Sequence, residues 1–228
     1  MTISVITGGT GGIGLAVATA LHQRGDELVL LGRDQDRLTA LARSFPGSRT
    51  IRADLGRPTE LAAALTTLPD RIDVLVHSAG TVTLGRIGEA TAQDWERTLT
   101  VNLTGPAELT RLALPGLRAA HGHVVMINSG AGLHAGPQWG SYAASKFGLR
   151  ALADALRAEE AAAGVRVTTI YPGRTASAMQ ATVHAQEGRA YEPSRWIQPA
   201  SVATTVLMAL SLPRDADVTE LTVRPSGG

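Results

Sequence analysis

The sequence predicts a single α/β domain: a doubly wound, seven-stranded parallel sheet with helices on both faces. Three observations carry this. Short Val/Ile/Leu-rich runs alternate with longer Ala/Leu/Arg-rich segments of helical period. The runs are continuously apolar, as strands covered on both faces are. The first of them, Ile3-Ser4-Val5-Ile6, passes through TGGTGGIG, Thr7 to Gly14, straight into the helical spacing Ile13, Val17, Ala20, Leu21. A length of 228 residues is enough for one well-buried domain, 1–228, and short for two.

After that opening strand, Glu27 to Leu31, Ser48 to Ala53, Ile72 to His77, His123 to Asn128, Val165 to Tyr171 and Glu220 to Val223 read as strands two to seven. Amphipathic segments lie between them, so the crossovers are right-handed and the helices cover both faces of the sheet. Helix punctuation agrees. Pro58 suits a first turn, Thr91 with Asp94 three residues later resembles a capping box, and Gly164 closes the Ala-rich segment Leu149 to Ala163. Two segments, Gln93 to Ala119 and Gly140 to Ala163, read as long helices. The stretch Arg174 to Gln198, with Gly188 and Pro193, has no clear period, and so long a connection in a compact domain is expected to be a lid over a binding site.

Composition narrows the function. Net charge is +1 and the aromatic fraction 4%, with no basic block, so neither nucleic acid nor an anionic membrane is an expected partner. Cysteine is absent, which removes disulfides and thiolate metal sites and fits a reducing compartment. The first strand begins by Ile3, leaving no room for a signal peptide, and no apolar run has the length of a membrane span. A cytoplasmic protein is expected. The six histidines lack a companion set at ligand spacing, so no metal site is expected.

Two features carry chemistry. Lys146 is the only lysine among 21 cationic side chains, and it stands four residues after Tyr142 in YAASK. On a helix those positions share a face roughly 5–6 Å apart. An ammonium there favours a phenolate by roughly 3 kcal/mol at an effective dielectric of about 20, which predicts a Tyr142 that gives up its proton more readily than a free tyrosine. Arginine is not a substitute, being unable to act as a compact point charge or to lose its proton. The second feature is the glycine turn. Placed between a strand and a helix, it lets backbone amides and the positive helix end meet a pyrophosphate.

Taken together these residues resemble the classical short-chain dehydrogenase/reductase family along essentially the whole chain. The family's TGxxxGIG turn is Thr7 to Gly14, its acidic residue after the third strand Asp54, and its NNAG the sequence His77-Ser78-Ala79-Gly80. Its active-site Asn is Asn102, its Ser Ser129, its YxxxK Tyr142 to Lys146, and its PG turn Pro172-Gly173. The separation 142 − 129 = 13 is the one the family uses. The resemblance implies a Rossmann fold and hydride transfer between a nicotinamide and a carbonyl or alcohol carbon. Tyr142 then moves the proton, Ser129 holds the oxygen beside it, Lys146 bonds the nicotinamide ribose, and Asn102 ties its helix to a water that continues the relay. It implies cofactor contacts from Gly8, Thr10, Gly11, Gly12, Ile13, Gly14, Asp54, Leu55, Ala79, Gly80, Tyr142, Lys146, Pro172, Gly173 and Thr175. Ser177 is a second hydroxyl near the nicotinamide amide. His77-Ser78 departs from the asparagine pair, which puts a bracing bond in question more than the chemistry.

Cofactor choice is read at the end of the second strand. Gly32 stands where an acidic residue would accept both ribose hydroxyls, and Arg33 follows. A guanidinium there offers charge-assisted bonds to a 2′-phosphate, which favours NADP(H) over NAD(H). Gly11 weighs the other way, because NADP-using relatives often carry a basic residue just before the middle glycine. The expected substrate is a small, largely apolar carbonyl or secondary alcohol, with Leu133, His134, Gln138 and Trp139 lining its pocket and Met179 and Trp196 contributed by the lid. A homo-oligomer, tetramer or dimer, is expected. The competing class is a redox-silent NADP-binding regulator on the same fold, since fold alone does not fix function; retention of Ser129, Tyr142, Lys146 and Asn102 argues for the enzyme.

Overall fold

A computed structural model describes residues 1–226. The strands are β1 (Ile3–Thr7), β2 (Glu27–Gly32), β3 (Arg49–Arg52), β4 (Val74–His77), β5 (His123–Ile127), β6 (Arg166–Pro172) and β7 (Glu220–Val223). They form one parallel sheet in the order β3-β2-β1-β4-β5-β6-β7. The chain winds outward from β1 to β3, returns to β4 and winds outward the other way. The strand order therefore reverses between β1 and β4, and it is outside the carboxyl ends of such strands that α/β sheets open a crevice.

The helices are α1 (Gly12–Gln23), α2 (Gln35–Ser44), α3 (Leu61–Ala64), α4 (Ala92–Leu99), α5 (Gly105–Ala120), α6 (Gly140–Glu160), α7 (Ala178–Gln186) and α8 (Pro199–Ser211). Two cores result. On one face, Leu109, Ala113 and Leu117 of α5 and Leu149, Ala153 and Leu156 of α6 pack on Val5, Leu75 and Val124 of the sheet. On the other, Val17 and Leu21 of α1, Leu38 of α2 and Val202 and Val206 of α8 pack on Ile6, Leu30 and Val76. Adjacent residues of one strand thus serve opposite cores, which is why the strands read as continuously apolar. No helix among the described residues is long and apolar enough to cross a membrane.

The seven predicted strands are all present, with ends shifted by up to two residues. The helix boundaries hold too: Thr91 accepts from the Asp94 amide at 3.2 Å while Asp94 accepts from the Thr91 amide at 3.0 Å, and Gly164 closes its helical segment in the left-handed conformation, φ 71°. Two readings need correction. The segment Gln93 to Ala119 is not one regular helix, because a π-helical turn, Thr100–Thr104, separates α4 from α5. The extra residue in that turn swings Asn102 inward. The stretch 174–198 is not structureless either. It holds α7, capped by Ser177 accepting from the Gln180 amide, and a 3-10 turn at Pro193–Arg195.

Candidate active site

The carboxyl ends of β1, β2, β4, β5 and β6 open onto one cleft of about 920 Å³. Every residue expected to contact the cofactor lines it, as do Ser129, Tyr142 and Lys146. The glycine turn makes the floor. A Cβ on Gly14 would stand 2.2 Å from the Gly8 carbonyl oxygen, and one on Gly8 would stand 2.7 Å from the Ala79 nitrogen, so those two are glycines because backbone packs on backbone. Gly11 is different. A Cβ there meets nothing within 4 Å, so its bareness answers no demand of the protein's own packing and leaves room at the N-terminus of α1 for a ligand. Free amides and open space at a helix start suit a pyrophosphate. The residues present therefore fit a dinucleotide.

The hydroxyl of Thr7, at the end of β1, accepts from the amides of Ser78 and Ala79 at 3.1 and 3.2 Å. This ties β1 to the loop after β4. His77 Nε2 bonds the Thr110 hydroxyl at 2.9 Å. The residue that replaces the family's first asparagine thus braces β4 against α5, and the departure noted in the sequence costs no bond there.

Ser129 ends the segment after β5. Its hydroxyl oxygen accepts from the Ala131 amide at 3.1 Å, which leaves the hydroxyl proton free to be donated into the cleft. Tyr142 and Lys146 lie on one face of α6, one turn apart and both buried. Lys146 Nζ is 5.8 Å from the centre of the tyrosine ring and donates to the Ile127 carbonyl at 3.1 Å. Trp139 packs edge-on against the Tyr142 ring at 5.6 Å.

The electrostatics correct the sequence reading. Burial pushes the Tyr142 phenol above its usual value, and only the neighbouring Ser129 hydroxyl pulls it back. That contact is looser than a fully formed hydrogen bond. The ammonium does not win because it is desolvated itself: burial lowers Lys146 to about 8. In so dry a site both charged forms are disfavoured.

Asn102 does not line the cleft. Both of its amide protons are used, one on the Thr81 carbonyl at 2.9 Å and one on the Ser145 hydroxyl at 3.0 Å, and its oxygen accepts from the Thr81 amide at 2.8 Å. It clamps the π-turn to the wall of the cleft and to α6.

Of the expected pocket residues, His134, Trp139 and Met179 line the cleft, whereas Leu133, Gln138 and Trp196 do not. Trp196 is turned into the lid, where it packs on Arg174 and His184. Thr175 and Ser177 both face the cleft, with the Ser177 Cβ 3.3 Å from where a Cβ on Gly12 would be. Several contributors were not legible in the sequence. Arg37, on the first turn of α2, shares the wall with Arg33. Buried Asn128 donates to the Lys146 carbonyl at 3.0 Å and accepts from the Ser129 amide at 2.8 Å, joining the two halves of the site. Its one sequence signal is a polar residue closing an apolar strand just before the serine.

A nucleotide cleft at the reversal of a parallel sheet, with a half-buried Ser129 and buried Tyr142 and Lys146 on its wall, defines a dinucleotide-dependent oxidoreductase. A family model described as short chain dehydrogenase matches residues 2–188, and the chain belongs to that family. It is 31% identical, over 98% of its length and 96% of the relative's, to an uncharacterised oxidoreductase of Staphylococcus aureus. Among solved structures, it resembles the closed form of a serine dehydrogenase complexed with NADP+, with a TM-score of 0.90 and 27% identity over 100% of this chain and 98% of that one. It also resembles an alcohol dehydrogenase from Thermococcus sibiricus complexed with 5-hydroxy-NADP, with a TM-score of 0.86 and 26% identity over 99% and 97%.

Proposed function

We propose that the protein is an NADP(H)-dependent oxidoreductase that moves a hydride between the nicotinamide and a small carbonyl compound or secondary alcohol, with Tyr142 as proton donor and acceptor. The observation that carries this is the placement of Ser129, Tyr142 and Lys146 along one wall of the cleft whose floor is the glycine turn. When bound, NADPH supplies the hydride, and the rest falls to this chain. The free Ser129 proton and the Tyr142 phenol converge on the substrate oxygen. Tyr142 gives that oxygen its proton as the carbon is reduced, and its raised pKa keeps it in the donating form at neutral pH. Lys146 stands one turn away, where its charge stabilises the phenolate left behind and its ammonium can bond a ribose hydroxyl. With its amide protons taken, Asn102 serves the proton relay through its backbone carbonyl.

The preference for NADP(H) rests on Arg33 and Arg37, two guanidiniums on the wall at the end of β2. NADP in both solved relatives supports it. The name of one of them, a serine dehydrogenase, points to a hydroxyl-bearing substrate of low mass. The absence of cysteine supports work in a reducing cytoplasm. The exposure of Phe147 on α6, 42% accessible in the single chain, supports a homo-oligomer, and light scattering reads its mass.

The test is a panel of small aldehydes, ketones and secondary alcohols followed by NADPH absorbance, each repeated with NADH. Turnover of at least one, faster with NADPH, is expected. Binding of NADPH with no turnover of any compound would favour the redox-silent regulator.

A further inference from the structure

The cleft is unevenly charged. Its carboxylates, Asp34 and Asp54, both stand at the end near β2 and β3. Asp34 caps α2 and Asp54 accepts from the Gly56 amide at 2.9 Å. The opposite end, around Ser129, has no carboxylate among the described residues. Two arginines border that end. Arg174 is neutralised by a two-pronged pair with Glu187, at 2.6 and 2.9 Å. Arg224, just past β7, has no carboxylate partner among the described residues. It reaches across β6 to the residue after Ser129, where a Cβ on Gly130 would stand 3.3 Å from its Nη1. Gly130 is thus the residue whose lack of a side chain makes room for the guanidinium. Around the Tyr142 ring the wall of the same cleft is apolar, formed by Val82, Val183 and Trp139.

An end of the cleft that, among the described residues, offers a guanidinium without a carboxylate partner beside its proton-transfer groups, an apolar wall and no acid selects for a molecule with the reverse pattern. We propose that Arg224 is a specificity-determining residue and that the substrate is an anionic hydroxy or oxo compound, a short hydroxy acid being the simplest. Its carboxylate pairs with Arg224 while its carbinol carbon sits at Ser129 and Tyr142. In the oxidative direction Tyr142 first releases its proton to solvent, the phenolate then takes the hydroxyl proton, the carbon-bound hydrogen leaves as hydride to NADP+, and the product is the oxo acid. This rests on the dehydrogenase reading above and adds the charge class of the substrate. A guanidinium–carboxylate pair is charge-assisted and directional, and because Arg224 is exposed its contribution falls with added salt.

The test compares NADP+-linked oxidation of hydroxy acids of increasing chain length, each beside its methyl ester, by the wild type, Arg224→Met and Arg224→Lys. For at least one acid the wild type should exceed its rate on the ester by tenfold or more in kcat/KM. Arg224→Met should lower kcat/KM on that acid by about ten- to a hundredfold, through KM, while leaving the ester within about threefold. Arg224→Lys should retain part of the preference. Esters used as well as acids, or an unchanged acid-to-ester ratio in Arg224→Met, would overturn the proposal. If neither acids nor esters turn over, the dehydrogenase reading fails for this class and binding decides the anion site alone. Butyrate titrated calorimetrically into NADP+-loaded protein should then bind the wild type and not Arg224→Met, and equal heats from the two would overturn it.

Discussion

Burial and a neighbouring hydroxyl compete for the proton of Tyr142, and burial wins. Tyr142→Phe deletes that proton and little else, so turnover should fall by about 10²–10⁴-fold, with NADPH affinity by fluorescence titration within a few-fold of wild type. Activity retained within a few-fold would remove Tyr142 from the chemistry. Lys146 makes a less obvious prediction. Its pKa is about 8 in the fold and near 10.5 when exposed, so at neutral pH the folded state holds a charge it would rather lose, at a cost on the order of 3 kcal/mol. Lys146→Met removes the charge and keeps the length. It should abolish activity yet raise Tm by a few degrees in differential scanning calorimetry, and a lowered Tm would show that the bond to the Ile127 carbonyl outweighs desolvation. At the other end of the cleft, Arg33→Ala should weaken NADPH binding about ten- to a hundredfold and spare NADH, because it removes a charge-assisted contact to a group only NADPH carries. Equal dissociation constants for the two cofactors in both proteins would assign Arg33 to the solvent. Gly32→Asp is the less clean probe, since a Cβ at Gly32 presses within 3.2 Å of Leu38.

The site depends on the junction between β5 and α6. Asn128 holds it, with one side chain bonded to the backbone of both Ser129 and Lys146. Asn128→Ala leaves the half-buried Ser129 amide without its partner and removes the second donor on the Lys146 carbonyl, a loss of about 1–3 kcal/mol, and loosens the spacing of Ser129 from Tyr142. Stability should fall in urea, and kcat should fall more than NADPH affinity; unchanged kcat at lowered stability would make Asn128 a packing residue only. Elements and motifs differ in how far the sequence exposes them. The seven strands are legible because burial on both faces leaves a continuous apolar run, and Ser129, Tyr142 and Lys146 because their spacing is local to one strand end and one helix. Asn128, Arg37 and Arg224 are not, since their roles arise from contacts that only the fold creates; Arg224 meets Gly130 by crossing β6. The helix α7 is hidden for another reason. Its Ala-rich surface has no strong apolar stripe, and its stability comes from outside, from the Ser177 cap and from His184 packed on Tyr191 and Trp196. The π-turn around Asn102 is likewise a tertiary product, drawn in by Thr81 and Ser145.

On the scale of the whole molecule, two histidines buried in the central strands decide how the protein meets acid. His77 Nε2 faces the Thr110 hydroxyl, which itself donates to the Pro106 carbonyl at 2.8 Å, so the histidine must be the donor. His123 repeats this with Thr168, whose hydroxyl donates to the Val218 carbonyl at 2.6 Å. In each ring Nδ1 is buried without a partner, and a proton added there would find nothing to receive it. Burial above all, with Lys146 behind His77 and Arg166 and Arg214 behind His123, holds both pKa values at about 3 instead of 6.5. Between those values the unfolded chain binds more protons than the folded one, so stability is fully present above about pH 6.5 and is lost as pH falls toward 3. Each histidine contributes a slope of about 1.4 kcal/mol per pH unit inside that window, and the two together roughly 5–10 °C of Tm per unit for a chain of this length. Lys146 has the same sign between 8 and 10.5, gaining stability as pH rises. Above about 10 the sign reverses, because Tyr142 and Tyr171 are both held protonated by burial, Tyr171 also by its bond to Glu220. Scanning calorimetry from pH 4.5 to pH 10.5, in unit steps set by these values, should therefore show a maximum on the alkaline side of neutrality and a steep acid limb. His77→Asn, which keeps a side-chain donor but cannot titrate, should halve the slope of that limb. An acid limb equally steep in His77→Asn would mean that ion pairs such as Arg118–Glu160, and not the buried imidazoles, set the acid limit.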